Sequence, residues 1–321
     1  MNRQFNRREL LLTGKKTFLL ALAGQVTVGC AATSYDSLKS RKEDPIQDGK
    51  EVFMELGTCS RTLFFITNRS FGRSKGTGEL ASDPLAGGIM QRGHQCGMLW
   101  GASLAAGAES YHRYENRDQA VSSSITATQH LIASFSNRTN AVNCRDITNI
   151  DFTSTFGLVK FMITGRFLDC FDLAEQWAPE AVQAANQGLS KDQSNPSKNC
   201  INCASEVARR MGASDEEMVM VAGFAGGLGM SGNACGALSA AIWMNTFAWC
   251  RANTIDCNVE TGESPSENAN ATRTLNAFDA ATDSEILCHK ICGRQFSSIE
   301  AHSAYIKNGG CQKLIETLAQ S

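Results

Sequence analysis

The sequence has few prolines, and no stretch of it alternates apolar and polar residues as a half-buried strand does. Its 321 residues include 5 prolines against 28 glycines, and abundant Ala, Leu and Met favour helices over strands. A formal net charge of −2 gives no reason to expect a nucleic acid or an anionic membrane as partner. No Ser-His-Asp set and no pair of carboxylates stands out, so no catalytic residue is predicted.

Cysteine, by contrast, is abundant. The chain has 13 cysteines, which is too many for incidental packing but too few for a small disulfide scaffold, where they make up about 8–10% of residues. None of them stands in a Cys-x-x-Cys-His motif, so a c-type haem is not expected. The chemistry of this chain is therefore sought in how its cysteines are arranged.

Two stretches of the chain repeat one another. Residues 85–103 read LAGGIMQRGHQCGMLWGAS, and residues 224–242 read FAGGLGMSGNACGALSAAI. A shift of 139 residues gives eight identities in seventeen positions, where background residue frequencies would give roughly one or two. The chain therefore contains an internal duplication.

Four cysteines recur in the same order in each copy, at offsets of 144, 139, 144 and 141 residues. The pairs are Cys59 with Cys203, Cys96 with Cys235, Cys144 with Cys288, and Cys170 with Cys311. Isolated core cysteines would not recur in register, so a shared chemical role is the stronger interpretation of these eight.

The duplication predicts an all-α protein of two tandem homologous domains, each with four to five short helices around a glycine-rich turn. The predicted boundaries are a leader over 1–44, a first copy over 45–190 and a second copy over 191–321, with a polar linker at 186–199. Val52, Leu56, Cys59 and Leu63 share one face of a helix predicted over 50–66. Ser214 is predicted to cap another helix.

The first 30 residues are typical of an export signal. Arg7 and Arg8, followed by Glu-Leu-Leu, resemble a twin-arginine motif. The apolar stretch 17–29 is too short for a membrane-spanning helix of about 20 residues. We expect a periplasmic or other extracytoplasmic location, with lipidation of Cys30 and hence a membrane-anchored lipoprotein left open. The twin-arginine route carries folded cargo, which favours a metal cofactor over disulfides alone.

Four thiolates suit a [2Fe–2S] cluster, a [4Fe–4S] cluster or a structural zinc ion. The spacing within each copy matches neither a zinc ribbon nor a ferredoxin, so spacing alone names no metal. The second copy also contains Cys200, Cys250, Cys257 and Cys292, whose disulfide or metal-binding state is left open. Cys200 and Cys203 could form a thiol redox pair, although no βαβ pattern surrounds them. His289, beside Cys288, is an alternative ligand.

The glycine-rich turn, the Cys-Gly-x-x-x-Gly/Ala motif and the flanking single cysteines resemble the C_GCAxxG_C_C family of redox-active proteins. The split-Soret cytochromes of sulfate reducers share this cysteine pattern. The resemblance implies helical domains and an iron–sulfur centre, most simply [2Fe–2S]. It places the iron ligands on Cys59, Cys96, Cys144, Cys170, Cys203, Cys235, Cys288 and Cys311, with Cys200 and Cys292 as alternatives.

The leading hypothesis is an exported iron–sulfur protein that transfers electrons with a periplasmic or membrane redox partner, rather than a stand-alone enzyme. A homo-oligomer is left open, as is the loading of one or both copies. A disulfide-stabilised binding or structural module of the cell envelope is one alternative. A thiol–disulfide oxidoreductase is the other.

Overall fold

The computed structural model describes residues 48–190, 200–255, 258–259 and 264–321. The predicted leader, with Arg7, Arg8 and Cys30, lies outside the described residues, as do Cys257 and positions 191–199 of the predicted linker. Helices dominate the described part, which confirms the all-α prediction. The domain boundaries stay predictions.

The first copy contains eight α-helices in the part of the chain that is described. They are α1 (Gly49–Leu56), α2 (Cys59–Ser70), α3 (Gly76–Leu80), α4 (Gly97–Arg113), α5 (Arg117–Thr139), α6 (Cys144–Thr148), α7 (Thr155–Ile163) and α8 (Arg166–Gly188), with a 3₁₀ turn at Asp83–Leu85.

The second copy repeats this order from the equivalent of α2 onward, and its last helix is much shorter than α8. They are α9 (Cys203–Arg210), α10 (Asp215–Met220), α11 (Gly236–Asn253), α12 (Ala269–Thr282), α13 (Cys288–Ile291), α14 (Ile299–Lys307) and α15 (Gln312–Ala319), with 3₁₀ turns at Val221–Phe224 and Pro265–Glu267. Two short antiparallel strands, β1 (Thr254–Ile255) and β2 (Asn258–Val259), follow α11.

The copies hold more helices than the four or five predicted, because glycine breaks some predicted segments and others are only one turn long. The helix predicted over 50–66 is two helices. Gly57 takes a left-handed φ of 84° and donates its N–H to Phe53 O, which ends α1. The predicted cap at Ser214 is present, and it forms a capping box with Glu217.

A left-handed turn precedes the central cysteine of each copy. Its positive-φ residues are Gly87, Gly88, Ile89, Met90, Gln91 and Gly93 in the first copy, and Gly226, Gly227, Leu228, Gly229, Met230 and Gly232 in the second. The two sets correspond at an offset of 139 residues. A β-branched residue such as Ile89 takes a positive φ only when the surrounding structure imposes it. Both copies therefore share this turn, and the residues packed around it impose its conformation.

The two copies pack against each other reciprocally. In one direction Trp243 Nε1 of the second copy donates to Gly78 O of the first at 3.1 Å. In the other, Ser124 Oγ of the first copy donates to Val219 O of the second at 3.1 Å. One large buried apolar cluster runs through both copies, and a small one lies around Phe152. The duplicated halves therefore share one core.

None of the described helices combines the length and the apolar character needed to cross a bilayer.

Candidate functional site

Backbone hydrogen bonds join the second and third cysteines of the first copy. Cys96 N donates to Val142 O at 2.8 Å, and Cys144 N donates to His94 O at 2.6 Å. These bonds tie the residue after the left-handed turn to the residue that begins α6. Two cysteines that lie 48 positions apart in the sequence are thereby brought together.

The second copy makes the same bonds at the equivalent positions. Cys235 N donates to Ile286 O at 2.8 Å, and Cys288 N donates to Asn233 O at 2.6 Å. Because the backbone supplies these bonds, the arrangement tolerates different side chains, as the exchange of His94 for Asn233 illustrates.

The first cysteine of each copy begins a helix that packs beside the motif. Cys59 is the first residue of α2, and Gly97 is the first residue of α4. A Cβ atom at position 97 would lie 2.6 Å from Cys59 Sγ and 2.9 Å from Ala86 Cα. The glycine after the motif cysteine is therefore what lets the two cysteine segments come into contact.

The four registered cysteines of the first copy form one group, the first thiol cluster (Cys59, Cys96, Cys144 and Cys170). Cys96 donates to the Cys59 sulfur, which lowers the pKa of Cys59 and raises that of Cys96. Burial, followed by the charges of Cys59 and Cys170, raises the pKa of Cys144. Burial, followed by the charge of Cys59, raises the pKa of Cys170 to about 12. Each sulfur is therefore within electrostatic reach of at least one other.

The second copy gathers five cysteines in the second thiol cluster (Cys203, Cys235, Cys288, Cys292 and Cys311). Cys292 Sγ lies 3.5 Å from Cys311 Sγ and 3.9 Å from Cys288 Sγ. Hydrogen bonds from Cys288 and then Cys311 lower the pKa of Cys292 to about 3. Burial, followed by the charge of Cys235, raises the pKa of Cys203 to about 12. The structure thus places the four registered cysteines around a fifth.

Equivalent backbone amides point at equivalent sulfurs in the two clusters. The amides of Gly87 and Ser60 donate to Cys59, and those of Gly226 and Ala204 donate to Cys203. In each case the hydrogen bonds lower the pKa of the thiol, against the effect of burial. The left-handed turn therefore supplies an amide donor to the first sulfur of each copy.

The central cysteines also receive amide hydrogen bonds. The Met98 amide donates to Cys96, and the amides of Leu238 and Ala237 donate to Cys235. Burial nevertheless raises the pKa of Cys235 to about 11. These amides lie at the N-termini of α4 and α11, where a helix presents its unpaired N–H groups.

Most of the clustered thiols are shielded from solvent, but each cluster has an accessible side. Cys170 in the first cluster, and Cys292 and Cys311 in the second, are partly exposed, whereas the other six are buried. None of the described cysteines forms a disulfide. Both clusters are therefore rich in thiols, largely shielded from water and accessible to solvent at one edge.

The remaining sulfur and histidine candidates take other positions. Cys200 and Cys250 are buried, and Cys250 lies near the end of α11. His289, the predicted alternative ligand, has its Nδ1 atom 2.8 Å from Gly232 O. Its ring thus bonds to the turn of its own copy.

Sequence reasoning missed two side chains at the second cluster. Tyr305 lies beside Cys292 and Cys311, and burial, followed by the charges of these two cysteines, raises its pKa. His302 is only 2% exposed, and burial lowers its pKa to about 4. Neither residue is part of a motif, so only the fold reveals its position. For Cys292 the sequence did contain an indication: it lies four residues after Cys288, which predicts that the two cysteines share one face of a helix.

The clusters do not form a ready-made site for a single metal ion. Within the described residues, no group of three or more His, Cys, Asp or Glu side chains has the arrangement needed to hold a metal ion. A structural zinc site requires each sulfur to lie about 2.3 Å from one common centre. The thiols are brought together, but they do not converge on one point.

A buried glutamine connects the two copies between their central cysteines. Gln95 is 1% exposed. Its Nε2 donates to Gly227 O at 3.1 Å, and its Oε1 accepts from Ala234 N at 3.1 Å. Because Gln95 precedes Cys96 and Ala234 precedes Cys235, this link joins the two motif loops directly.

A family model described as "Putative redox-active protein (C_GCAxxG_C_C)" matches the chain twice, over residues 58–214 and 198–321. The two matches cover both sets of clustered cysteines and confirm the resemblance expected from the sequence. No curated protein and no solved structure matches the chain.

The contact between Gly97 and Cys59 can be tested by substitution. We expect Gly97→Ala to lower the free energy of unfolding by about 1–3 kcal/mol, because its methyl group would overlap the Cys59 sulfur. Urea denaturation followed by circular dichroism measures the change.

Gly78→Ala is the matched control. Its Cβ would meet only ordinary contacts, the nearest being Trp243 Cζ2 at 3.6 Å, so we expect no loss of stability. Equal destabilisation by the two substitutions would contradict the close approach at Gly97.

Proposed function

The chain belongs to the C_GCAxxG_C_C family of redox-active proteins, and from that premise we propose that each thiol cluster holds an iron–sulfur cluster used in electron transfer. The observation that carries this proposal is the duplicated grouping of largely buried thiols, with amide donors at equivalent positions. Two unrelated packing accidents would not reproduce the same set of contacts at offsets of 139 to 144 residues.

The donor set fits an iron–sulfur group by its chemistry. Cysteine thiolates are the usual ligands of such clusters, and four are needed. Each thiol cluster contains at least four cysteines, none of them in a disulfide. The predicted ligands are therefore the eight registered cysteines, with Cys292 as a fifth candidate in the second copy.

A multi-iron group suits the arrangement better than a single ion does. A cluster distributes its thiolates over two or four iron atoms, so its ligands surround a larger body than one metal ion. The described thiols are close together without the arrangement of a single-ion site. This difference favours an iron–sulfur cluster, with [2Fe–2S] as the simplest form, over structural zinc.

The surrounding residues would tune such a group. A bound iron–sulfur cluster supplies reversible electron uptake, and its potential depends on hydrogen bonds to the sulfurs and on solvent exposure. The amides of Gly87 and Gly226 supply hydrogen bonds to Cys59 and Cys203. Burial of most of the thiols keeps water away and protects them from oxidation.

The partly exposed cysteines mark where a redox partner would approach. Cys170 lies on α8, and the preceding helix α7 exposes Phe156 and Ile163, which are 79% and 80% accessible. Phe161 of the same helix packs against the small buried cluster that contains Cys144. An apolar surface next to the first cluster gives a protein partner of the periplasm or membrane a place to bind.

Iron and acid-labile sulfide analysis after anaerobic purification tests the proposal. We expect both elements in the protein, together with a visible absorption spectrum. Cys235→Ser should lower the iron content by about half, because it removes a ligand from one of two centres. Cys96→Ser should do the same for the other centre.

Cys250→Ser is the matched control. Cys250 is buried like Cys235, but it lies about 20 Å farther along α11, so its removal should leave iron and sulfide unchanged. A colourless wild-type protein without iron would overturn the proposal. So would an equal loss of iron in the Cys235→Ser and Cys250→Ser variants, each shown to be folded by circular dichroism.

Export of the folded protein is a separate part of the proposal, supported by Arg7 and Arg8. We expect the double substitution Arg7→Lys and Arg8→Lys to retain the protein in the cytoplasm, because the twin-arginine pair is what the export route reads. Cell fractionation with an antibody measures the distribution. An unchanged distribution would contradict twin-arginine export.

A further inference from the structure

The second thiol cluster has one cysteine more than the first. The offset of 144 that pairs Cys144 with Cys288 places Thr148 opposite Cys292. In the first copy the Thr148 hydroxyl donates to Cys144 O at 2.7 Å, as helix Thr residues commonly do. The duplicated halves therefore differ in chemistry at this position.

Cys292 and Cys311 are the closest pair of sulfurs for which the structure gives a separation. Their Sγ atoms are 3.5 Å apart, and a disulfide bond requires about 2.05 Å. Closing the bond would move the sulfurs together by about 1.5 Å, which small side-chain rotations can supply. Cys292 follows α13 and Cys311 precedes α15, so the bond would join two separate elements.

Tyr305 lies beside these two sulfurs. Burial, followed by the charges of Cys311 and Cys292, raises the pKa of Tyr305. Its ring lies against the backbone at Gly310, where a Cβ atom would be 2.3 Å from Cε1 of the ring. Phe296 packs on the ring with centroids 5.1 Å apart. These two contacts fix the tyrosine next to the pair.

The same two cysteines are the accessible ones. Cys292 and Cys311 are partly exposed, whereas Cys203, Cys235 and Cys288 are buried. A disulfide-containing molecule from solution can therefore reach this pair, but not the other three. Cys311 also has a left-handed φ of 58°, a strained conformation for a residue with a side chain.

We propose that Cys292 and Cys311 form a reversible dithiol–disulfide couple that exchanges with accessible disulfides. One thiolate of the pair attacks an external disulfide, forms a mixed disulfide and expels one thiol. The second cysteine then attacks the mixed disulfide and releases the second thiol. The pair loses two electrons and two protons, and the external disulfide gains both. This inference does not depend on iron at either cluster.

The couple has a consequence for the second cluster alone. Cys311 is one of the registered cysteines, so its disulfide with Cys292 removes that sulfur from the cluster. The first cluster has Thr148 in place of the partner and does not respond in this way. The second copy therefore senses the thiol–disulfide balance, and the first does not.

Peptide mapping after equilibration with glutathione and glutathione disulfide tests the couple. The full chain, freed of bound iron, is equilibrated over a series of ratios and blocked with N-ethylmaleimide before it is unfolded. Trypsin cuts after Lys290, Arg294, Lys307 and Lys313, which separates Cys288, Cys292 and Cys311 into peptides 274–290, 291–294 and 308–313. We expect the second and third peptides to become joined, with loss of both maleimide adducts, and to separate again on reduction.

The variants distinguish the two neighbours of Cys292. Cys292→Ser should abolish the joined peptide, whereas Cys288→Ser should leave it in place. The inference would be overturned if wild-type Cys292 and Cys311 stayed labelled at every ratio. It would also be overturned if Cys292 were recovered joined to Cys288.

Discussion

The structure depends on a set of backbone hydrogen bonds between the left-handed turn and the segment that carries the third cysteine. In the first copy, Cys96 N and Cys144 N donate to Val142 O and His94 O. The second copy repeats both bonds. Because they involve only the main chain, they fix the backbone at the second and third cysteines of each copy whatever the neighbouring side chains are. In the first copy Gly97, which follows the motif cysteine, then lets Cys59 approach the other cysteines.

The shared core extends this constraint across the molecule. Gln95 satisfies two buried backbone groups of the second copy, Gly227 O and Ala234 N, and it is covalently joined to Cys96. The two motif loops are thus held at a fixed separation. Two domains that moved independently would not keep such a separation. The two proposed electron-carrying centres would then work as a unit, and the proposed couple at Cys292 would make only the second of them respond to the thiol–disulfide balance.

The sequence predicted the duplication and the registered cysteines because glycine and cysteine have roles that few residues can replace. A methyl group would overlap the Cys59 sulfur at Gly97 and the Phe224 backbone oxygen at Gly236, so both copies need glycine at this position. The break at Gly57 was not predicted, because the apolar periodicity continues on both sides of it. Tyr305 reaches the second cluster only through the packing of α14 against the loop before α15, which no local pattern encodes.

The central claim is that thiols far apart in the sequence are grouped in two clusters, one in each copy, and that each cluster holds iron. Diffraction from crystals of the anaerobically purified protein, with data collected on both sides of the iron absorption edge, tests it most directly. The account predicts two anomalous peaks, one among the sulfurs of Cys59, Cys96, Cys144 and Cys170, and one among those of Cys203, Cys235, Cys288 and Cys311. Sulfurs scattered to separate parts of each copy, or no iron peak beside them, would contradict it.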